Sequence, residues 1–275
     1  MASFEVYMKM SNPIKATALL FSLVVAVTCQ GAYDHVFIVV LENVGYDAVV
    51  GSQSAPYINN QMIPKGTLYT QSYGVAKPSL PNYLALFSGS TQGVTMDKCP
   101  TSSIDPVGPF DAPNLYTRLV NNSYSIVGYM NSLPSVGWLG CKRYPYVARH
   151  NPFRYFTNVP PATWVPYTKR SNWPNLAWIT PDQTHNMHDG IDLPEKISNG
   201  DSWLSNHMPD IIDYCAANNG LLILTMDEGP SSTGNRIFTL LIGNAEPVGA
   251  RNNTRIDHYS VLRLVTDNFG VAPLP

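Results

Sequence analysis

His35-Val-Phe-Ile-Val-Val-Leu-Glu-Asn43 decides the fold: six successive apolar residues, mostly β-branched, end abruptly in an acid and an amide. A strand apolar at every position is buried on both faces, which happens when helices cover both sides of a parallel sheet. Four further runs share this character: Ser125-Ile-Val-Gly-Tyr129, Leu176-Ala-Trp-Ile-Thr180, Leu221-Leu-Ile-Leu-Thr-Met226 and Ile237-Phe-Thr-Leu-Leu-Ile242. Helical segments are predicted between and after them at 80–87, 113–121, 201–218 and 259–269, the last opened by Asp257. Strands alternating with helices predict an α/β fold, a mostly parallel central sheet with helices on both faces. Residues 89–113 and the Pro-rich 145–174 read as long excursions over the sheet edge. No internal repeat and no linker divides the chain.

With 275 residues the chain is long enough for one large core. Hydrophobic residues make up 44% and charged ones 13%, with 23 Pro and 19 Gly, which excludes a coiled coil and a disordered scaffold. Lys and Arg total 17 against 19 Asp and Glu, with no basic block, so nucleic acid is excluded as a partner.

The N-terminal residues read as an address. Lys9 and Lys15 precede an uncharged apolar run from Ala16 to Val27, and small residues follow near Ala32. That order predicts a secretory signal over 1–32, ahead of one domain over 33–275. The run is shorter than the roughly 20 residues of a spanning helix, so the expectation is a secreted protein without stable membrane insertion. Removing Cys29 with the signal leaves Cys99, Cys141 and Cys215. The first two lie in loop-like stretches and are expected to pair, while Cys215 reads as a buried thiol. Asn121-Asn-Ser123 and Asn252-Asn-Thr254 are glycosylation acceptor triplets.

Ligands of open α/β sheets bind outside the carboxyl ends of strands, and three of the five runs end in acids. The first delivers Glu42-Asn43, the Leu176 run Asp182, and the Leu221 run Asp227-Glu228. Acids gathered at one edge repel one another unless a cation neutralises them, which implies a divalent metal ion. For any single acid a turn or helix-cap role is the ordinary alternative. His185, His188, Asp189 and His258 add candidate ligands, and the mixture of oxygen and imidazole suits Mg, Mn, Zn, Ca or Fe. Their spacing matches no closed structural zinc motif. Ser79, in Lys77-Pro-Ser-Leu-Pro-Asn82, stands at the start of a short apolar helix whose amides suit an anion such as phosphate. A plain N-cap is its other reading, and Asn82 is placed to turn toward the same anion. The Gly-x-Ser-x-Gly elbow of serine esterases is missing; Gly229-Pro-Ser-Ser-Thr-Gly234 has the wrong spacing.

These residues resemble the secreted phosphoesterases that include bacterial and fungal acid phosphatases and non-specific phospholipases C, within the alkaline-phosphatase-like superfold. The resemblance runs from about His35 to Gly270. It rests on seven segments in order: Val39-Val-Leu-Glu-Asn43; Pro78-Ser-Leu-Pro-Asn82 with Phe87-Ser-Gly-Ser90; Ala148-Arg-His-Asn-Pro-Phe153; 179–189; Gly200-Asp-Ser-Trp-Leu204; Thr225-Met-Asp-Glu-Gly229; and His258-Tyr-Ser260. The resemblance implies Glu42, Asn43, Asp227 and Glu228 as metal ligands, joined by His258, with Ser79 as both ligand and nucleophile. His150 and His188 would hold phosphate oxygens or protonate the leaving alkoxide, assisted by Asn82. Where the family carries Asp-x-His, this chain has Asn186-Met-His188, which implies one metal ion rather than two unless Asp182 or Asp189 compensates.

The resemblance thus implies a metal-dependent acid phosphatase that hydrolyses small phosphate monoesters through a phosphoserine. The runner-up is a phospholipase C or phosphodiesterase acting on lipid headgroups, whose family members tend to be longer; Trp138 and Trp164 read as either lipid contacts or core. A third reading, prompted by Asn186 and the many aromatics, is an inactive secreted binding protein.

Overall fold

The structure is a computed structural model that describes residues 32–101 and 107–275. The expected signal therefore lies, but for Ala32, outside the described residues. The elements follow in order: β1 (His35–Leu41), α1 (Tyr46–Val49), β2 (Thr67–Tyr73), α2 (Ser79–Ser88), α3 (Leu115–Val120), β3 (Ile126–Met130), β4 (Lys142–Arg143), β5 (Tyr146–Val147), β6 (Trp164–Pro166), β7 (Leu176–Thr180), α4 (Leu193–Ala217), β8 (Gly220–Met226), β9 (Arg236–Gly243), β10 (Ala250–Asp257) and α5 (His258–Asn268).

Eight strands form one sheet in the order β10-β2-β9-β8-β1-β7-β3-β6. Every adjacent pair is parallel except those of β9, which runs antiparallel to β8 and β2. The five apolar runs are β1, β3, β7, β8 and β9, as the sequence predicts. Side chains alternate across β1: Val36, Ile38 and Val40 join the core under α2, α3 and α5, while Phe37, Val39 and Leu41 join the core under α1 and α4. Both faces are thereby covered, which is why the run carries no polar alternation.

Five strands lie outside those runs: β2, β4, β5, β6 and β10. β10 contains one large apolar residue, Ile256, and pairs only with β2 at the sheet edge. Solvent takes its free edge, so no hydrophobic pattern is demanded of it. Helix α4 starts eight residues before the predicted 201, capped by Asp192, whose side chain accepts from the Glu195 amide. Asp201, inside that helix, is buried and accepts from the amides of Tyr57 and Ile58 at 2.9 and 2.8 Å, tying the helix to the segment after α1. The 145–174 excursion supplies the edge strand β6, and Trp164 within it is core. The expected disulfide, Cys99–Cys141, is present, and Cys215 is free and buried. No helix among the described residues is long and apolar enough to cross a membrane.

Candidate active site

β1 and β8 are neighbours and end level, Leu41 opposite Met226. Glu42 and Asp227 therefore leave the sheet side by side, locked by two bonds: the Asp227 amide donates to the Leu41 carbonyl at 2.9 Å, and the Asn43 amide to Asp227 Oδ1 at 2.9 Å. Asn43 reaches that position with a φ of 47°, a left-handed conformation that asparagine tolerates better than most residues. Gly229 follows Glu228 because a Cβ there would lie 2.4 Å from the Arg236 carbonyl oxygen.

Helix α2 delivers the hydroxyl. Ser79 is its first residue, with Pro78 at the N-cap, so the plain-cap reading is not what the side chain does. Its Oγ donates to Glu42 Oε2 at 2.9 Å. One turn on, the Tyr83 hydroxyl donates to Glu42 Oε1 at 2.5 Å. Gly89 ends the helix in the left-handed conformation, φ 75°. The Leu80 amide, free of helical partners at this terminus, donates to Asp97 Oδ1 at 3.0 Å.

His150 lies against the same carboxylate. Its Nε2 is 3.1 Å from Glu42 Oε1 but outside hydrogen-bond geometry, and its ring stacks on Tyr83 with centroids 5.3 Å apart. Asn186 Nδ2 lies 3.4 Å from His150 Nδ1, while the Asn186 carbonyl takes the Glu42 amide. The His188 ring is 6.4 Å from that of His150, half-buried, with Nδ1 bonded to Asp189 Oδ1 at 2.6 Å.

The electrostatics are those of crowded, desolvated acids. Burial, then the charge of Asp227, pushes the Glu42 carboxyl well above the ordinary carboxylate range, against the pull of Tyr83, Ser79 and Arg149. Burial and then Glu228 push Asp227 up to about 7. Glu228 is raised chiefly by burial, opposed by Lys77, whose Nζ lies 3.2 Å from its Oε2. Burial holds His150 well below the usual histidine range, so its imidazole stays neutral.

The donor set fits a hard cation. Asp227 Oδ2 is buried and has no hydrogen-bond partner, and the two raised carboxyls lack a counter-charge between them. Among the described residues no three His, Cys, Asp or Glu side chains form a metal-holding group. What converges instead is two carboxylates with a serine hydroxyl, beside the exposed Asn43.

Several candidates have other work. Asn82 does not reach toward an anion: its Oδ1 accepts from the Val75 and Ala76 amides at 2.9 Å each, and its Nδ2 donates to the Ala76 and Pro78 carbonyls. Those four bonds satisfy the tight loop before Ser79 and occupy the whole amide. His258 Nε2 faces the Asp227 main-chain carbonyl at 2.5 Å, which makes it a clamp on the strand end, with Nδ1 buried and unpartnered. Asp182 accepts from Ser132, Thr184 and His185 and so folds its own loop rather than joining Glu42. Tyr83, Asp97 and Arg149 were not among the candidates. Tyr83 had a signal, its i+4 spacing from Ser79 on one helix face.

The Phosphoesterase family matches residues 52–272 of the chain. The phosphatidylinositol-3-phosphatase of Mycobacterium tuberculosis is 35% identical over 94% of this chain and 86% of its own length. The phosphate-repressible acid phosphatase of Penicillium chrysogenum is 27% identical over 94% of this chain, and an acid phosphatase of Aspergillus fumigatus 29% identical over 88%. The chain spans only 64% and 56% of those two fungal relatives. Among solved structures, murine ectonucleotide pyrophosphatase/phosphodiesterase 5 superposes with a TM-score of 0.60 at 12% identity, over 88% of this chain and 96% of that one. An alkaline-phosphatase-superfamily protein from Vibrio parahaemolyticus gives 0.60 at 12% identity, over 89% and 68%. At such identity the likeness is one of fold.

Proposed function

This chain belongs to the phosphoesterase family as a hydrolase of acid-phosphatase type, and we propose that it is a secreted, metal-dependent phosphomonoesterase that passes the phosphoryl group through Ser79. We assign the signal to 1–32 and the catalytic domain to 33–275. One observation carries the reading: Ser79 Oγ, at the N-terminus of α2, donates to Glu42 Oε2 at the end of β1, next to the unpartnered Oδ2 of Asp227.

Glu42, Asp227, Ser79 and Asn43 would hold the cation, and Glu228 stands behind them on Lys77. A cation bound there supplies charge to lower the Ser79 hydroxyl pKa and to neutralise phosphoryl oxygens. Of the first three residues of α2 only Ser79 offers an amide to those oxygens, because that of Leu80 is held by Asp97 and Pro81 has none. Ser79 Oγ gives up its proton to water and forms a bond to phosphorus as the ester P–O bond breaks, and the leaving alkoxide takes a proton from His188 while the neutral His150 holds a phosphoryl oxygen. Asp189 fixes the His188 ring through Nδ1, which leaves Nε2 for the substrate. Water then attacks the phosphoserine, regenerating the hydroxyl and releasing phosphate. The Cys99–Cys141 disulfide supports an oxidising compartment.

The test is hydrolysis of p-nitrophenyl phosphate, its bis-ester analogue, and phosphatidylinositol 3-phosphate in vesicles at acid pH, with and without chelator. Chelator-sensitive monoester turnover that falls at least about a thousandfold in a folded Ser79→Ala chain is expected. A preference for the diester transfers the chain to the phospholipase C reading. Silence on every ester from a folded wild-type chain leaves the inactive binding protein.

A further inference from the structure

A cleft of about 420 Å³ opens between α4 and the loop after β7, a size within the roughly 300–1,000 Å³ of small-molecule sites. One wall is α4, which contributes Asn199, Ser202 and Asn206 at the i, i+3 and i+7 spacing of a single helix face, with His207 beside them. The facing wall is Asn131, directly after β3, with Thr184 and His185. No Asp, Glu, Lys or Arg is among the described residues that line it. Amide, hydroxyl and imidazole groups make up its polar surface, in contrast to the acid-rich ends of β1 and β8.

The protein leaves part of these walls unsatisfied. Asn131 Oδ1 and His207 Nδ1 are buried and make no hydrogen bond, whereas buried polar atoms in native proteins ordinarily have a partner. Asn206 Nδ2 donates to the Ser202 carbonyl at 2.9 Å, which leaves its Oδ1 as an acceptor. Asp182 takes His185 Nδ1 at 2.7 Å, and burial pulls His207 below the usual histidine range, so neither ring brings an uncompensated charge. Trp203, which also borders the cleft, is buried between the rings of Tyr167 and His207, with centroids 5.4 and 4.4 Å away. A flat aromatic ligand therefore finds no open face to stack on. Interleaved donors and acceptors without charge match hydroxyl groups, each of which gives one hydrogen and accepts others.

One loop separates this cleft from the chemistry. Within it Asn186 meets Glu42 and His150, whereas Thr184 and His185 line the cleft. Asn131 also borders the narrow space beside His150. In the proposed mechanism the departing alcohol takes its proton from His188, at the end of this same loop.

We propose that this cleft holds the alcohol part of the substrate, so that the enzyme favours phosphate esters of hydroxyl-rich rings, a sugar or a cyclitol, over esters of plain alcohols. The inference rests on the phosphomonoesterase reading and deepens it by naming the substrate class. A soluble sugar or cyclitol phosphate and a phosphoinositide headgroup share that chemistry.

The experiment compares kcat/KM for myo-inositol 1-phosphate and cyclohexyl phosphate, which share a six-membered ring and differ in its hydroxyls. Wild type is expected to favour the inositol ester at least about tenfold, mostly through KM, as roughly two neutral hydrogen bonds would give. The double change Asn199→Leu and Asn206→Leu, with a residue that suits a helix, removes the preference and leaves p-nitrophenyl phosphate turnover unchanged. A wild-type chain without preference, or a preference that survives the double change, overturns the subsite. A larger preference for adenosine 5′-monophosphate, lost in the same variant, overturns it in favour of a nucleobase. Saturation-transfer NMR with free myo-inositol reads the cleft without turnover. Transfer from wild type that the double change abolishes is expected; its absence rejects the cleft even if the esterase reading stands. The same transfer from a chain that hydrolyses no ester upholds the cleft as a polyol site and sinks the phosphomonoesterase reading alone. Phosphatidylinositol 3-phosphate in vesicles then separates the sources: a lipid source requires it to turn over faster than the soluble inositol ester, with the same loss in the variant, and a soluble source requires the reverse order.

Discussion

Tyr83 donates its hydroxyl to Glu42 Oε1 across 2.5 Å, while Ser79, one turn earlier on the same helix, takes Oε2. A single carboxylate thus aligns the hydroxyl assigned as nucleophile and, through the Tyr83 ring, the stacked imidazole of His150. Tyr83→Phe keeps the ring and the stacking but leaves a buried oxygen of Glu42 unpaired. Such a loss costs about 1–3 kcal/mol. The expected outcome is a lowered unfolding midpoint and a fall of about ten- to a hundredfold in kcat with little change in KM, since the tyrosine orients the acid and touches no substrate. Unchanged kcat in steady-state assays would detach Tyr83 from the catalytic arrangement.

Asn82 acts on the backbone ahead of the nucleophile. Its side chain accepts two loop amides and donates to two loop carbonyls, and Asn82→Ala leaves the buried members of that set without partners. A loss of roughly 2–4 kcal/mol in urea unfolding is expected. Phosphate inhibition should weaken only as far as Ser79 is displaced. A variant of wild-type stability that has lost phosphate binding would restore Asn82 as a direct anion ligand.

The sheet was legible wherever burial on both faces forced a continuous apolar run, as in β1 and β8. The acids at the ends of those strands were legible for the same reason, because a charge directly after a buried run must find a partner. β10 was not legible, since an edge strand with solvent on its free side has no apolar pattern to show. The beginning of α4 carried its signals, Asp192 as cap and Pro194 in the first turn, but Gly200 interrupts the pattern behind them. Contacts such as Leu80 to Asp97 and Asn186 to His150 join residues distant in sequence, and no local pattern announces them. The fates of Asn82, Asp182 and His258 show a related limit: residue type places a polar group near a strand end, whereas only geometry shows whether the backbone has already taken its bonds.

The Cys99–Cys141 crosslink joins positions 42 residues apart. Loop-closure entropy gives such a crosslink about 4 kcal/mol at 25 °C. The double change Cys99→Ser and Cys141→Ser is expected to lower unfolding free energy by up to that amount in denaturant titration. Because Asp97 anchors the start of α2 from the same segment, the loss should extend to activity, with KM rising more than kcat falls. A crosslink-free chain as stable as wild type would show that Arg154, which bonds the carbonyls of Leu139 and Gly140, already holds the segment.

The paired acids make stability of the cation-free chain fall as pH rises. Asp227 is pushed up to about 7 and Glu42 is raised too, so between the unfolded carboxyl range near pH 4 and about pH 7 the folded chain holds more protons than the unfolded one. With more protons bound to the native state, the slope of unfolding free energy against pH is negative over that window. Buried His150 and His258, both held below the usual histidine range, act in the opposite direction, so thermal unfolding in chelator should give a higher midpoint near pH 5 than near pH 7.5 when read relative to a Glu42→Gln chain, which keeps both histidines. Gln removes the proton-dependent repulsion, and its midpoint should fall less across the window. A divalent cation that binds the ionised pair is expected to raise the midpoint most at pH 7.5, where both carboxylates are deprotonated in its presence. A chelated chain whose stability climbs from pH 5 to 7.5 relative to the Glu42→Gln chain would show that the two acids are not crowded together, and the cation would lose its place in the proposed site.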